Sequence, residues 1–317
     1  MESCFHTLCN PIIVGCKLYT TNTATAFVAD GYYSDGTNCY HVVSGVVTSI
    51  VPCTTGTYTY QPFGYASRWY NDVTTSPDGS SVIAAAVQEA VQGGTGGLYE
   101  SINEGALVLE TGTFGPLWQH ITTNMTTGDI FATKAGSGII YKQTGGVGAY
   151  DPYVTLPNIF IDGLSCSNNN LYAINSAGGS DPTNILKQTN MTGSFNQIYS
   201  TAGAMRILHC APNNDIYYHA PNETPKKLYK QTGGVGPFVG IYDINNVNGI
   251  TVTPSGDLYF TNTYNVYKQV GGGGPLNIDF TSVNPVYGIH SNQAGKIYFV
   301  TNRISSFVGD VWRQVYS

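Results

Sequence analysis

Cysteine, histidine and carboxylate side chains are the groups that could ligate a metal, attack a carbonyl or move a proton, and in this chain their distribution is uneven. Five of the seven cysteines (Cys4, Cys9, Cys16, Cys39 and Cys53) fall within the first 53 residues. Thiolate and imidazole suit zinc, so Cys4, His6, Cys9 and Cys16 form one candidate set, although their spacing matches no paired-knuckle pattern. Disulfides or buried free thiols are the other reading, and an odd count leaves one thiol unpaired within the region. His209 and His290 stand at matching points of a repeat described below. They are the candidate ligand-binding residues, placed to line a channel and meet an anion or a metal. The other copies of the repeat carry Thr or Ser at that point, so no ring of ligands forms, and solvated histidine is the plainer role. The glycine runs Gly145-Gly146-Val147-Gly148, Gly233-Gly234-Val235-Gly236 and 271–274 lack the following Gly-Lys-Ser/Thr and helix of a phosphate loop, and read as turns. No Gly-x-Ser-x-Gly elbow and no pair of carboxylates spaced for glycoside hydrolysis is present. These absences lead to the expectation of no catalytic residues, no metal, no cofactor and no enzyme activity.

The elements that must position these residues are short strands. The stretch 248–280, NGITVTPSGDLYFTNTYNVYKQVGGGGPLNIDF, contains four runs rich in Val, Ile, Tyr, Phe and Thr, each bounded by Gly, Asn, Asp or Pro. Four antiparallel strands in roughly 40 residues make one blade of a β-propeller. The turn and second strand recur as PDGSSVIAAA, TTGDIFATK, SNNNLYAIN, PNNDIYYHA, PSGDLYFTN and QAGKIYFVT. The third strand recurs around Tyr99, Tyr141, Leu186, Tyr229, Tyr267 and Trp312, generally followed by a charged residue (Glu100, Lys142, Lys187, Lys230, Lys268, Arg313). Such lysines lay their stems along apolar surface with the charge in water. Two series of six predict an all-β chain: a six-bladed propeller of four-stranded blades over 54–317, preceded by a small Cys-rich β module over 1–53. The inner strands are expected at 72–76, 120–124, 163–167, 206–211, 249–253 and 288–292. Only five outer strands follow, so the sixth must come from 58–65, YTYQPFGY, and close the ring against 311–315. The module carries a hairpin around Ser44-Gly45.

Composition narrows the function classes. Only 10% of residues are charged, and the net charge is -6 with no basic cluster, which speaks against nucleic-acid binding. No apolar run approaches the ~20 residues of a membrane span. The N-terminus lacks a basic stretch followed by a long apolar one, so a secretory signal is not expected. Synthesis in the cytoplasm follows, which argues against an oxidising compartment during folding.

The repeat, centred on Gly-Ile-x-Val-x-Pro-x-Gly-Asp-Leu-Tyr at 249–259, resembles the NHL-type six-bladed propeller repeat. It departs from that family by lacking the usual charged residues after the second strand. Six-bladed propellers of this kind include lactonases whose channel metal is held by Glu, Asn and Asp, whereas here Asp72 is the main acid on an inner strand. The N-terminal run Gly15-Cys16-Lys17-Leu18-Tyr19, followed by Ala29-Asp30-Gly31-Tyr32-Tyr33-Ser34-Asp35-Gly36-Thr37-Asn38-Cys39-Tyr40, resembles a module of structural and tail proteins of phages infecting Bacteroidetes-type bacteria. That resemblance implies a virion spike or tail-fibre protein, made in the host cytoplasm. Residues 1–53 would join other virion proteins, and a homo-oligomeric propeller would attach to a host-surface glycan or protein. A polysaccharide hydrolase or lyase is the alternative, favoured if carboxylates cluster at the channel mouth; a purely architectural component is the third.

Overall fold

The computed structural model describes residues 6–7, 12, 14–19, 31–34, 38–52 and 58–316, except 67, 90–95, 111, 114–116, 159, 168, 177–182 and 304–307. The chain divides into two compact units, residues 1–59 with 315–317, and residues 60–314.

In the larger unit six four-stranded antiparallel sheets follow one another along the chain. Their inner strands are Arg68–Thr75, Trp118–Thr123, Phe160–Ser167, Arg206–Cys210, Gly249–Val252 and Val286–Ser291. Each packs against the inner strand of the next blade, and the sixth against the first, so the sheets form a closed ring around a central channel. The outer strand of the sixth blade is Tyr58–Ala66, paired with Val308–Tyr316. The turn from first to second strand has the same backbone in every blade. Gly79, Gly128, Asn169, Asn214, Gly256 and Gly295 all lie at φ between 60 and 90°. Glycine tolerates that region and asparagine is the side chain that best follows it, which is why only these two residues appear there.

Each cleft between neighbouring blades is filled by its own apolar cluster, six in all. The second strand is the main supplier, because both its faces are covered: Phe131, Tyr172, Tyr218, Phe260 and Phe299 are all at most 2% exposed. Burying such side chains is worth about 1.5–3 kcal/mol each, and the ring distributes that gain evenly around the channel.

The Asp, Lys, Gln and Gly that recur at one spacing within this repeat form a hydrogen-bonded clamp. Asp129, Asp215 and Asp257 each take a backbone N–H on one oxygen (Gly145, Gly233, Gly271; 2.7–2.8 Å) and a lysine ammonium on the other (Lys142, Lys230, Lys268; 2.7–3.2 Å). The same lysines stand 5.3–5.7 Å from the ring centres of Phe131, Tyr217 and Tyr259. The lysine charges are therefore paired and stacked, which corrects the expectation of charges standing in water. Gln143, Gln188, Gln231 and Gln269 are buried, and each donates to the carbonyl five residues on, at 2.6–2.9 Å. The glycine runs between them are single 3-10 turns with Gly145, Gly233 and Gly271 near φ 60°.

In the smaller unit, Gly31–Ser34, Asn38–Val43 and Val46–Pro52 form a three-stranded sheet. Its second hairpin turns at Ser44 (φ 53) and Gly45 (φ 75), the two positive φ values that a two-residue hairpin demands. Cys16 is disulfide-bonded, which follows the disulfide reading of the cysteines and leaves its sulfur unavailable as a thiolate ligand to zinc. Cys4, Cys9 and Cys53, and the side chains of His6 and Cys39, lie outside the described residues.

Candidate functional site

A cavity of about 730 Å³ runs along the propeller channel, lined by all six inner strands. Its middle is a ring of staples. At matching points of the six inner strands stand Thr74, Thr122, Ser165, His209, Thr251 and His290. Thr122, Ser165, His209 and Thr251 each accept a backbone N–H of the next blade, from Cys166, Cys210, Val252 and Ser291, at 2.9–3.1 Å. Thr74 shares a hydroxyl contact with Thr123 at 3.0 Å. His209 uses Nε2 for this bond, which requires the neutral ring. Burial, with His290 nearby, pushes its pKa down to about 3. Both sequence-predicted candidates thus line the cavity, but His209 is engaged in joining blades four and five. His290, also held neutral by burial at about 4, has a buried Nε2 with no hydrogen-bond partner among the described residues.

Two residues closer to the start of each strand the pattern changes. Here stand Asp72, His120, Gly163, Ile207, Gly249 and Gly288. The three glycines are required by close approach: a Cβ on Gly163, Gly249 or Gly288 would lie 2.5–2.9 Å from the next blade's inner strand. Blade one puts a carboxylate into this same narrow position. Asp72 Oδ1 accepts from Val73 N at 2.9 Å and Oδ2 from Ile121 N of blade two at 3.1 Å. Those bonds favour the charged form, but burial outweighs them and raises its pKa to about 7. Its side chain keeps 22% of its surface, on the cavity side. His120 Nδ1 is 3.9 Å from Asp72 Oδ2. Burial lowers the pKa of His120 to about 4, and its Nε2 is buried without a partner among the described residues.

One step nearer the mouth, each blade offers one more lining residue: Asn71, Gln119, Asp162, Arg206, Asn248 and Tyr287. Five of the inner strands slip register at this level, leaving Asn71, Gln119, Asp162, Ile207 and the Tyr287-Gly288 pair unpaired with the second strand. Bulges of this kind re-aim side chains next to binding sites. The bulge in blade four is strained, since Ile207 has φ 55°, a region that costs a β-branched residue about 1–3 kcal/mol. Asp162 accepts from Ser176 Oγ at 2.6 Å. Among the described residues the channel thus carries two carboxylates and one guanidinium. No group of three or more His, Cys, Asp or Glu is arranged to hold a metal among those residues.

Sequence reasoning noted Asp72 and passed over His120 and Asp162. The signal was available in the aligned inner strands: a position that is glycine in half the blades is an Asp and a His in two consecutive ones.

No family model matches the sequence, and no curated protein sequence matches it. Solved structures do match. A gluconolactonase from Xanthomonas campestris superposes with a TM-score of 0.64 at 8% identity, covering 82% of this chain and 90% of that one. A protein of unknown function from Bacteroides thetaiotaomicron gives 0.64 at 12% identity, covering 92% and 83%. A streptogramin B lyase gives 0.55 at 12% identity, covering 82% and 98%. The shared feature is the fold. Two of these neighbours are named as enzymes, and this corrects the expectation that the chain has no enzyme activity. None of the three is named as a virion component, and nothing in the fold adds to the phage expectation.

Proposed function

We propose that the chain is a small-molecule enzyme of the hydrolase or lyase type, working in its propeller channel with Asp72 as the proton-transferring group. The observation that carries this reading is the carboxyl of Asp72, set into a position that is glycine in three of the six blades, open to the cavity and poised near neutrality. A group with its pKa near the working pH is the most effective proton shuttle. At neutral pH Asp72 is in part ionised and takes a proton from carbon or from water. The cavity volume suits a ligand of drug-like size. It favours a compact molecule over the interior of a long polysaccharide.

The test is turnover of a panel of small lactones, esters and sugar acids prone to elimination, followed by proton release and ultraviolet absorbance. Wild-type protein is expected to turn over at least one class, with kcat/KM rising through pH of about 7 as Asp72 ionises. Asp72→Asn is expected to lower kcat by about 10²–10⁴-fold. Turnover that Asp72→Asn leaves unchanged sinks the assignment, as does a wild-type protein inert toward the whole panel.

A further inference from the structure

We infer that the molecule taken by the channel is a hydroxy acid, its carboxylate held by Arg206 at the wall opposite Asp72. The inference rests on the proposed acid–base reading and names the substrate class of that same site.

Blades one and four face each other across a ring of six, so Arg206 lies on the far side of the channel from Asp72. Arg206 lines the cavity, is exposed, and its guanidinium makes no hydrogen bond or ion pair among the described residues. Five other cations of the blades are engaged by carboxylates: Lys142, Lys230 and Lys268 by the aspartate clamps, Lys296 and Arg313 by Glu104. A guanidinium presents a fork of donors that fits a carboxylate through two parallel bonds. The bulge at Ile207, with its strained backbone, separates residue 206 from the regular alternation of the strand.

The neighbours of Arg206 define the rest of the ligand. On one side Asp162 holds one oxygen toward Ser176 and keeps acceptor capacity on the cavity side. On the other side Asn248 offers an amide, and Gln119 and Asn71 continue the rim. Asp162 would repel a purely anionic ligand, but it accepts well from hydroxyls. A molecule with one carboxylate and several hydroxyls satisfies both residues at once; a neutral polyol leaves the guanidinium unpaired. Substrate bound in this way reaches across the channel and presents its far end to Asp72.

Gluconate and glucitol make a matched pair for the test, because they differ in having a carboxylate or a hydroxymethyl at one end. The full chain, labelled with ¹⁵N, is titrated with each while the imidazole signals of His120, His209 and His290 are followed. Gluconate is expected to shift these signals at concentrations where glucitol does not. Arg206→Gln is expected to weaken gluconate about tenfold or more, and Arg206→Lys to recover part of the loss. Equal binding of the two probes overturns the inference, as does gluconate binding that is unchanged in Arg206→Gln or absent from the wild type. Unliganded spectra of the variants report whether the ring has folded. The readout needs no turnover, so its failure leaves the Asp72 result standing. Conversely, gluconate binding that survives while Asp72→Asn has no effect on turnover removes the acid–base reading alone.

Discussion

The clearest physical constraint at the residue scale is the packing of glycine against the neighbouring inner strand. A Cβ on Gly288 would lie 2.5 Å from Asp72 Cα and 2.6 Å from its Oδ1. Gly288→Ala is therefore expected to cost about 1–3 kcal/mol in chemical denaturation and to displace the carboxylate, with a parallel loss of activity. Gly273, which has open space around it and no positive φ, is the control: its alanine variant should stay within about 0.5 kcal/mol of wild type. A Gly288→Ala variant as stable as the control would show that the strands can separate, and Asp72 would then not be rigidly held. The two histidines singled out from sequence illustrate why site chemistry is harder to read than fold. Both lie where the repeat places them, yet the repeat cannot reveal that one nitrogen is used to hold a neighbouring backbone and the other is not.

At the scale of the element, the clamp of Asp, Lys and Gly separates a backbone bond from a charge pair. Asp257 holds Gly271 N at 2.8 Å with one oxygen and Lys268 Nζ at 3.2 Å with the other. Blade three has Asn170 there, which accepts from Asn190 N at 3.2 Å without a charge. Asp257→Asn keeps the backbone acceptor and is expected to cost under about 1 kcal/mol, whereas Asp257→Ala loses both and should cost about 1–2 kcal/mol. Equal losses in a urea titration would mean that the ion pair, not the turn bond, is what the aspartate supplies. The strands and their turns were legible in the sequence because period-two apolar runs and Gly or Asn at a left-handed position are local signals. Register slips at Asn71, Gln119 and Asp162 were not legible, since a bulge inserts one residue without altering composition. Those slips are what bring the mouth residues into the channel.

The whole molecule should respond to pH through its buried imidazoles. Burial lowers His120, His219 and His290 to about 4 and His209 to about 3. Their neutral forms contribute stability that is complete above the ordinary histidine value of 6.5 and is lost as pH falls toward 4, because the unfolded chain takes up protons first. Asp72 and Glu110, both raised to about 7 mainly by burial, act in the opposite direction over the same interval. Four histidines against two carboxyls leave the unfolded chain binding two protons more than the folded one in that interval. The urea midpoint should consequently fall between pH 7 and pH 5, and His290→Asn should flatten the dependence. A midpoint that rises on acidification would contradict this balance.

The ring's closure also sets a timetable for synthesis. The strand Tyr58–Ala66 leaves the ribosome before its partner Val308–Tyr316, which is about 240 residues further along. At translation rates of about 5–20 residues per second, the first strand waits roughly 10–50 s with an open edge. An unpaired edge is where nascent chains on one message would stick to each other. The exposed Pro62 in the middle of that strand lacks an amide hydrogen and so interrupts any continuous ladder. The clasp that completes the sixth blade thereby carries its own interruption to pairing with a wrong neighbour while it waits.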